Sequence, residues 1–556
     1  MAHHPNAGQL ASPSDYADIG ALCGAYQSCS TGAVSPVVFG TSGHRGTSLD
    51  GTFNESHILA ITQAICDYRV AQGIDGPLYL GNDTHALSGP AKQTALEVLA
   101  ANNVTVMVQE GTPGEETYVP TPAVSYAILS HNLDPGKAGT EGVADGIIIT
   151  PSHNPPCDGG FKYNPPKGGP ANPESTAWIE NRANELLRGG NRAVRRTANA
   201  SKINELTRPY DFAGKYVEGL ASVIDVEGIR ASGIRILADA MGGAGIGYWG
   251  RIAEAYGLNI TARNDAADPT FSFMTLDHDG QIRMDCSSPF AMAGMLAAFN
   301  PEEYDIGFGN DTDFDRHGVV TSQGLMNPNH VLAVLTDYLL SARDFGNMNR
   351  NQSVATHVGK TTVSSDINDR VIQAHGRRIL EVLPGFKYFV DGLHSGQLAF
   401  AGEESAGASF LRTDGRVWTT DKDGIVPCLL AAELHARRGH SPSTHYQMLE
   451  ERFGRHHYER VDIPATDVQK AALKGVQLSD VDLAQLGGDP VSGRTISIGN
   501  DAIGGFKLRT ANGWVVARPS GTEDIIKIYG ESFIDNAHLA QLHADAQGLV
   551  ERLAGD

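Results

Sequence analysis

The chain is short of positive charge. It carries 43 lysines and arginines against 64 aspartates and glutamates, for a formal net charge of −21. A nucleic-acid surface needs a basic stripe, so no such partner is expected. A phosphorylated small substrate stays compatible, because a local basic cradle overrules the global field at contact distance. The chain also lacks any apolar run of about 18 residues, so no membrane-spanning helix and no membrane partner are predicted. Its opening stretch, MAHHPNAGQLASPSDYADIG, has no basic region followed by an apolar segment, so no secretory signal is read there. Cysteine is scarce. The six (Cys23, Cys29, Cys66, Cys157, Cys286 and Cys428) are dispersed and form no CxxC. Neither a thiol metal site nor a redox pair is expected, and reduced thiols in a cytoplasmic protein are.

What is present is ordinary globular material. The 556 residues are 41% hydrophobic and 19% charged. Short apolar runs alternate with helical stretches, which reads as α/β. GPLYLGNDT (76–84), VTVMVQEG (104–111) and the start of DGIIITPSHNPP (145–156) are strand-like, and SHILAITQAICDYRVAQG has helical spacing. Four units are expected, over 1–205, 206–322, 323–450 and 451–556. Gly81-Asn82-Asp83-Thr84 and Gly309-Asn310-Asp311-Thr312 echo each other at strand ends. That is a hint of duplicated units, though chance explains one such match nearly as well.

Four loops stand out, one per unit, each after an apolar strand. Ligands collect at that end of open α/β sheets. In Thr150-Pro151-Ser152-His153-Asn154-Pro155-Pro156, a serine is held between prolines behind a buried run. A fixed, exposed hydroxyl suits a nucleophile. Taken alone, the segment reads more readily as a proline-rich turn with a bystander serine. A hydrolase reading from His153 is disfavoured, since neighbours in a strand point to opposite faces. In Gly309-Asn310-Asp311-Thr312-Asp313-Phe314-Asp315-Arg316, three alternate carboxylates can converge on one hard cation. Arg316 stands beside them as a counter-charge. Gly402-Glu403-Glu404-Ser405-Ala406-Gly407 offers carboxylates and a hydroxyl to sugar hydroxyls, or is an ordinary turn. Arg518-Pro519-Ser520-Gly521-Thr522 combines a guanidinium, two hydroxyls and glycine-flanked N–H groups, which suits a phosphate.

Two other motifs compete. Gly245-Ile246-Gly247-Tyr248-Trp249-Gly250 fits G-x-G-x-x-G, with Asp265 downstream, which would imply an NAD-dependent oxidoreductase. Extra residues between strand and motif, and the bulk of Tyr248 and Trp249, speak against it. Gly359-Lys360-Thr361-Thr362 resembles the end of a P-loop, but Val354 stands where that motif needs its first glycine.

Taken together, TPSHNPP, GNDTDFDRHG, GEESAGAS and RPSGTED, in that order, resemble the α-D-phosphohexomutases. The likeness runs from TSGHRG (41–46) to RPSGTED (518–524). It implies three related α/β domains and a smaller C-terminal α+β domain around a central cleft. It implies that Ser152 is a phosphoserine, and that Asp311, Asp313 and Asp315 bind Mg²⁺ together with a phosphate oxygen on Ser152. Arg45, His153, Lys162 and Lys422 match groups of the catalytic centre. Glu403 and Ser405 match contacts to sugar hydroxyls. Arg518, Ser520, Gly521 and Thr522 match the phosphate-holding loop, with Lys527 in support. Arg316 and Lys387 are further candidates for the substrate cleft.

The likeness further implies interconversion of glucose 1-phosphate and glucose 6-phosphate through glucose 1,6-bisphosphate. GEESAG and TTDKDG (419–424) look like the branch specific for glucose. Ala408-Ser409 stand where the dual-specificity and amino-sugar branches carry a histidine. Mannose or another phosphohexose is the alternative substrate. A catalytically dead sugar-phosphate-binding protein is a rival that the intact Ser152 and aspartates speak against.

Overall fold

The computed structural model describes residues 3–28, 35–40, 43–111, 116–134, 142–343, 357–520 and 524–554. Four main sheets follow one another along the chain. The first has seven strands, in the order Phe39–Gly40, Gly43–Thr47, Asp158–Asn164, Asp145–Ile149, Leu78–Asn82, Val106–Gln109 and Thr207–Tyr210. The second runs Gly324–Leu325, Gly318–Thr321, Ile306–Gly309, Arg235–Asp239, Asn259–Arg263. The third runs Arg378–Val382, His357–Thr361, Leu398–Gly402, Ala408–Phe410. The fourth is wholly antiparallel, from His457–Pro464 through Ile525–Ser532, Gly513–Pro519 and Asp501–Arg509 to Gly493–Ile498.

Local sequence explains the elements that frame the site. Every residue of Asp145–Ile149 is buried, as its near-continuous apolar run demands of a strand covered on both faces. Helix Glu55–Gln72 starts at a capping box on Asn54 and stops at Gly73, whose φ of 67° closes the helix in the left-handed region. No described helix is long and apolar enough to cross a membrane.

The four loops share one placement. Each joins a strand to an antiparallel return: Asp145–Ile149 to Asp158–Asn164, Ile306–Gly309 to Gly318–Thr321, Leu398–Gly402 to Ala408–Phe410, and Gly513–Pro519 to Ile525–Ser532. In the first three sheets the outgoing strand also pairs in parallel with a neighbour, so the sheets are mixed.

Two segments cross the expected boundary at 205. Strand Thr207–Tyr210 pairs with Val106–Gln109 and so completes the first sheet. The N-terminal residues lie on the second unit, where Ala11 N donates to Met274 O at 3.0 Å and Ala11 is buried beside Met274 and Phe271. Alternation of polar and apolar residues finds elements; it does not say which sheet edge a short strand will join.

Candidate active site

Ser152 lies at the turn after strand Asp145–Ile149, with φ of 59°. Left-handed backbone in a non-glycine residue is strained, and such strain collects at functional sites. The side chain is buried, and its Oγ donates to Asp311 Oδ2 at 2.8 Å. The turn also brings His153 Nδ1 within 3.4 Å of Ser152 Oγ. The strand-based expectation that the two side chains point apart is therefore wrong. They sit in a turn, where alternation does not hold. Burial and Arg316 push the His153 imidazole well below its ordinary range.

Asp311, Asp313 and Asp315 are all buried, and one ligand oxygen from each lies within 4.8 Å of the others. Their loop follows strand Ile306–Gly309 and carries Phe314 at φ 58°. Burial, then Asp315 and Asp313, push Asp311 well above the usual carboxylate range. Burial would raise Asp313 as well, but Lys162 and Lys422 hold it below its ordinary value. Lys162 Nζ is 2.6 Å from Asp313 Oδ2, and Lys422 Nζ is 2.8 Å from Asp315 Oδ2. Asp313 Oδ1 and Asp315 Oδ1 are buried without a hydrogen-bond partner. Orphaned carboxylate oxygens of this kind suit a hard cation, so the residues fit a divalent metal.

Arg316 holds the metal loop to the sugar loop. Its N–H donates to Asp311 Oδ1 at 3.0 Å, its guanidinium lies 3.8 Å from Asp315 Oδ1, and its backbone bridges to Gly407. Arg45, on the strand beside Gly160, donates to Asn154 Oδ1 at 3.1 Å. Glu403 is buried and accepts from Gly385 N at 2.8 Å. Burial raises its carboxyl against the pull of Lys422. Ser405 stands part-exposed in the same turn, next to Ala406 at φ 70°. Gly407 is required by a close approach, since a Cβ there would run into the Lys422 side chain.

The remaining candidates sit apart. Lys387 Nζ stands 5.6 Å from the Tyr388 ring, and Arg518 lies over the Tyr529 ring at 5.9 Å. No described contact ties either to Ser152 or the aspartates. Ser520 is buried, and Lys527 faces Arg518 in register. Gly521 and Thr522 lie outside the described residues, as do Thr41 and Ser42 of TSGHRG.

The two competing motifs have structural work instead. A Cβ on Gly245 would collide with the Phe314 ring, so this glycine packs against the metal loop, and Gly247 N is already taken by Asp265 Oδ1 at 2.7 Å. Lys360 is buried and pairs with Asp366 at 3.1 Å.

The sequence reading missed several residues. Asp421 is buried, bonded to Asn164 Nδ2 at 2.8 Å, and pushed up to about 6 by burial against the pull of Lys162 and Lys422. Thr121 Oγ1 donates to Asp313 Oδ2 at 2.7 Å. Asp421 stood in the TTDKDG segment and could have been found there. Thr121 carried no local signal.

The full length of the chain matches known proteins around this geometry. Models of the phosphoglucomutase/phosphomannomutase family match domain I at 36–188, domain II at 214–324, domain III at 327–453 and the C-terminal domain at 470–548. This chain belongs to the phosphoglucomutase/phosphomannomutase family. Within that family it is 48% identical over 556 residues to the phosphoglucomutase of Komagataeibacter xylinus, covering 99% of this chain and 97% of that one. It is 23% identical to a phosphoglucomutase/phosphomannomutase of Thermococcus kodakarensis, over 93% of this chain and 99% of that one. Among solved structures, the Paramecium phosphoglucomutase pp63/parafusin shares the fold with a TM-score of 0.71 at 19% identity, over 94% of this chain and 96% of that one. A family protein from Burkholderia thailandensis does so at 0.70 and 20%, over 94% and 98%. The chain thus has the family's three α/β domains and C-terminal domain, and its aspartate triad is a possible site for the family's metal.

Proposed function

We propose that this chain interconverts glucose 1-phosphate and glucose 6-phosphate, with Ser152 as the phosphoryl carrier. The observation that carries the reading is Ser152 Oγ on Asp311 Oδ2, inside a buried cluster of three carboxylates, two lysines and an arginine. Identity of 48% to a phosphoglucomutase over nearly all of both chains supports the choice of sugar.

A phosphate on Ser152 carries about −1.5 to −2 charges, and the aspartates would repel it. Asp311, Asp313 and Asp315 would hold Mg²⁺ there, and its Lewis acidity would stabilise charge on the transferring group. Phosphoryl transfer needs mainly positioning and charge stabilisation. Lys162, Lys422 and Arg45 supply positive charge. His153, whose Nδ1 lies 3.4 Å from Ser152 Oγ, assists the transfer of the sugar hydroxyl proton as the phosphoryl leaves the serine. The product is glucose 1,6-bisphosphate, which turns over in the cleft and returns its other phosphoryl to Ser152. Glu403 and Ser405 read the sugar hydroxyls, with Arg316 and Lys387 beside them. Arg518, Ser520, Gly521 and Thr522, supported by Lys527, hold the phosphate that is not reacting. We place this work in the cytoplasm, on soluble sugar phosphates. The domain limits we propose fall near 210, 325 and 454, where one sheet gives way to the next.

The test is a coupled assay with glucose 1-phosphate, Mg²⁺ and a trace of the bisphosphate. Turnover by the wild type and its loss in Ser152→Ala are expected. A fully active Ser152→Ala would remove the serine from the mechanism.

A further inference from the structure

The two Gly-Asn-Asp-Thr segments have a reciprocal relationship. Thr84 Oγ1, in the first unit, donates to Gly242 O of the second at 2.6 Å. Thr312 Oγ1, in the second, donates to Ser152 O of the first at 2.5 Å. Each threonine therefore fastens its own strand end to a backbone carbonyl across the seam. The aspartates converge in the same way on one loop. Asp311 accepts from Ser152 Oγ. Asp83 Oδ2 accepts from Thr150 Oγ1 at 2.6 Å, and Thr150 Oγ1 in turn accepts from Ser152 N at 2.8 Å.

Asp83 has a second partner. His85 Nδ1 lies 2.9 Å from Asp83 Oδ2, and His85 Nε2 lies 3.1 Å from Asn154 O. A carboxylate and a carbonyl only accept, so an acceptor faces each ring nitrogen, an arrangement that favours the imidazolium. The Asp83 carboxylate, aided by a direct hydrogen bond, raises His85 against the opposing effect of burial. Ser88 Oγ completes the set, donating to Asp83 Oδ1 at 2.6 Å. All of Asp83, His85, Ser88 and Thr150 are buried. The pair thus grips the serine loop on both sides, at Thr150 before Ser152 and at Asn154 after it. Asn154 also receives the Arg45 guanidinium.

We propose that Asp83 and His85 are positioning residues for phosphoryl transfer, holding Ser152 in its left-handed backbone conformation so that Oγ meets the metal loop. The need for such a hold is physical. A non-glycine residue at φ 59° relaxes unless its surroundings over-determine it. A proline on one side of Ser152 limits the loop, but it does not set the height of the serine above the sheet. The Asp83–Thr150–Ser152 N chain does. The proposal rests on Ser152 being the phosphoryl carrier.

The experiment compares Thr150→Val, Asp83→Asn, the double variant and His85→Gln with wild type and Ser152→Ala in the coupled assay, with melting temperatures for each. Thr150→Val keeps the side-chain shape and removes only the hydroxyl, so it tests the idea even where an Asp83 variant fails to fold. Each single variant is expected to lose kcat by on the order of ten- to a hundredfold, the penalty for a misplaced reacting group. KM for glucose 1-phosphate should stay within about threefold, since sugar contacts are untouched. The double variant should be no slower than the slower single, because both changes cut one chain. Normal kcat in Thr150→Val, multiplied losses in the double variant, or losses that vanish per folded molecule would each overturn the proposal. Turnover by Ser152→Ala would instead bring down the carrier reading, and this proposal with it.

Discussion

Lys162 Nζ lies 2.6 Å from Asp313 Oδ2, and the same ammonium is 3.6 Å from Asp315 Oδ2. One cation of the first domain therefore neutralises two prospective metal ligands of the second. Removing it leaves buried carboxylates uncompensated, which is destabilising. Lys162→Met is expected to lower the melting temperature of metal-free protein and to enlarge the upward shift on adding Mg²⁺, since ligand binding stabilises by mass action. Chelator should abolish wild-type turnover and added Mg²⁺ restore it. Thermal melts with and without metal check the first part. An Mg²⁺ shift no larger than that of wild type would mean Lys162 does not stand in for the ion.

Arg518→Ala is expected to weaken binding of glucose 1-phosphate and glucose 6-phosphate alike. The loss of one charge-assisted contact is about 1.5–3 kcal/mol, or roughly ten- to a hundredfold. Arg518 makes no described contact with the aspartates, so metal affinity should not change. Titration of both sugar phosphates into the variant decides it. A loss for one isomer alone would show that the two halves of the cycle do not share this cradle.

Glucose phosphates are expected to be preferred over mannose and glucosamine phosphates. Glu403 is anchored by Gly385 N, so its free oxygen has a set direction for a sugar hydroxyl. Ala408 and Ser409 are buried in the strand after the loop, and Ser409 Oγ is turned inward to Thr419 O at 2.7 Å. Neither offers an extra polar contact to the sugar. The ratio of kcat/KM values across the three substrates measures the preference. A ratio near unity would assign the chain to a dual-specificity group.

Two buried histidines should each withdraw stability from the fold as pH falls below 6.5. Burial lowers His44 and His330 from 6.5 to about 4. In the unfolded chain both take up protons near pH 6.5, whereas the folded chain refuses them until near pH 4. The unfolded state thus binds more protons in this window, and stability rises with pH. The contribution is fully present above pH 6.5 and is lost as pH falls toward 4, by a total on the order of several kcal/mol for two such groups. Denaturant unfolding at a series of pH values from 7 to 4.5 should show it, and His44→Asn should flatten the slope. Equal slopes in the two proteins would remove His44 from the account.

Much of this protein is decided by local sequence. The four loops, their strands and the ligand spacing of Asp311, Asp313 and Asp315 are short-range features. Apolar runs make strands, and glycine- and proline-rich stretches end them. Other matters only the tertiary structure decided. Strand Thr207–Tyr210 has four residues and no strong pattern; its place in the first sheet follows from the free edge of Val106–Gln109. Thr121 and Asp313 are 192 residues apart and meet because two sheets abut. The approach of His153 to Ser152 Oγ follows from a backbone turn that strand alternation does not describe. The local sequence around Lys162 and Lys422 shows no carboxylate partner at the distances the fold provides. Their meaning comes from desolvation, since buried carboxylates require partners wherever the fold brings them, and distance along the chain places no limit on that.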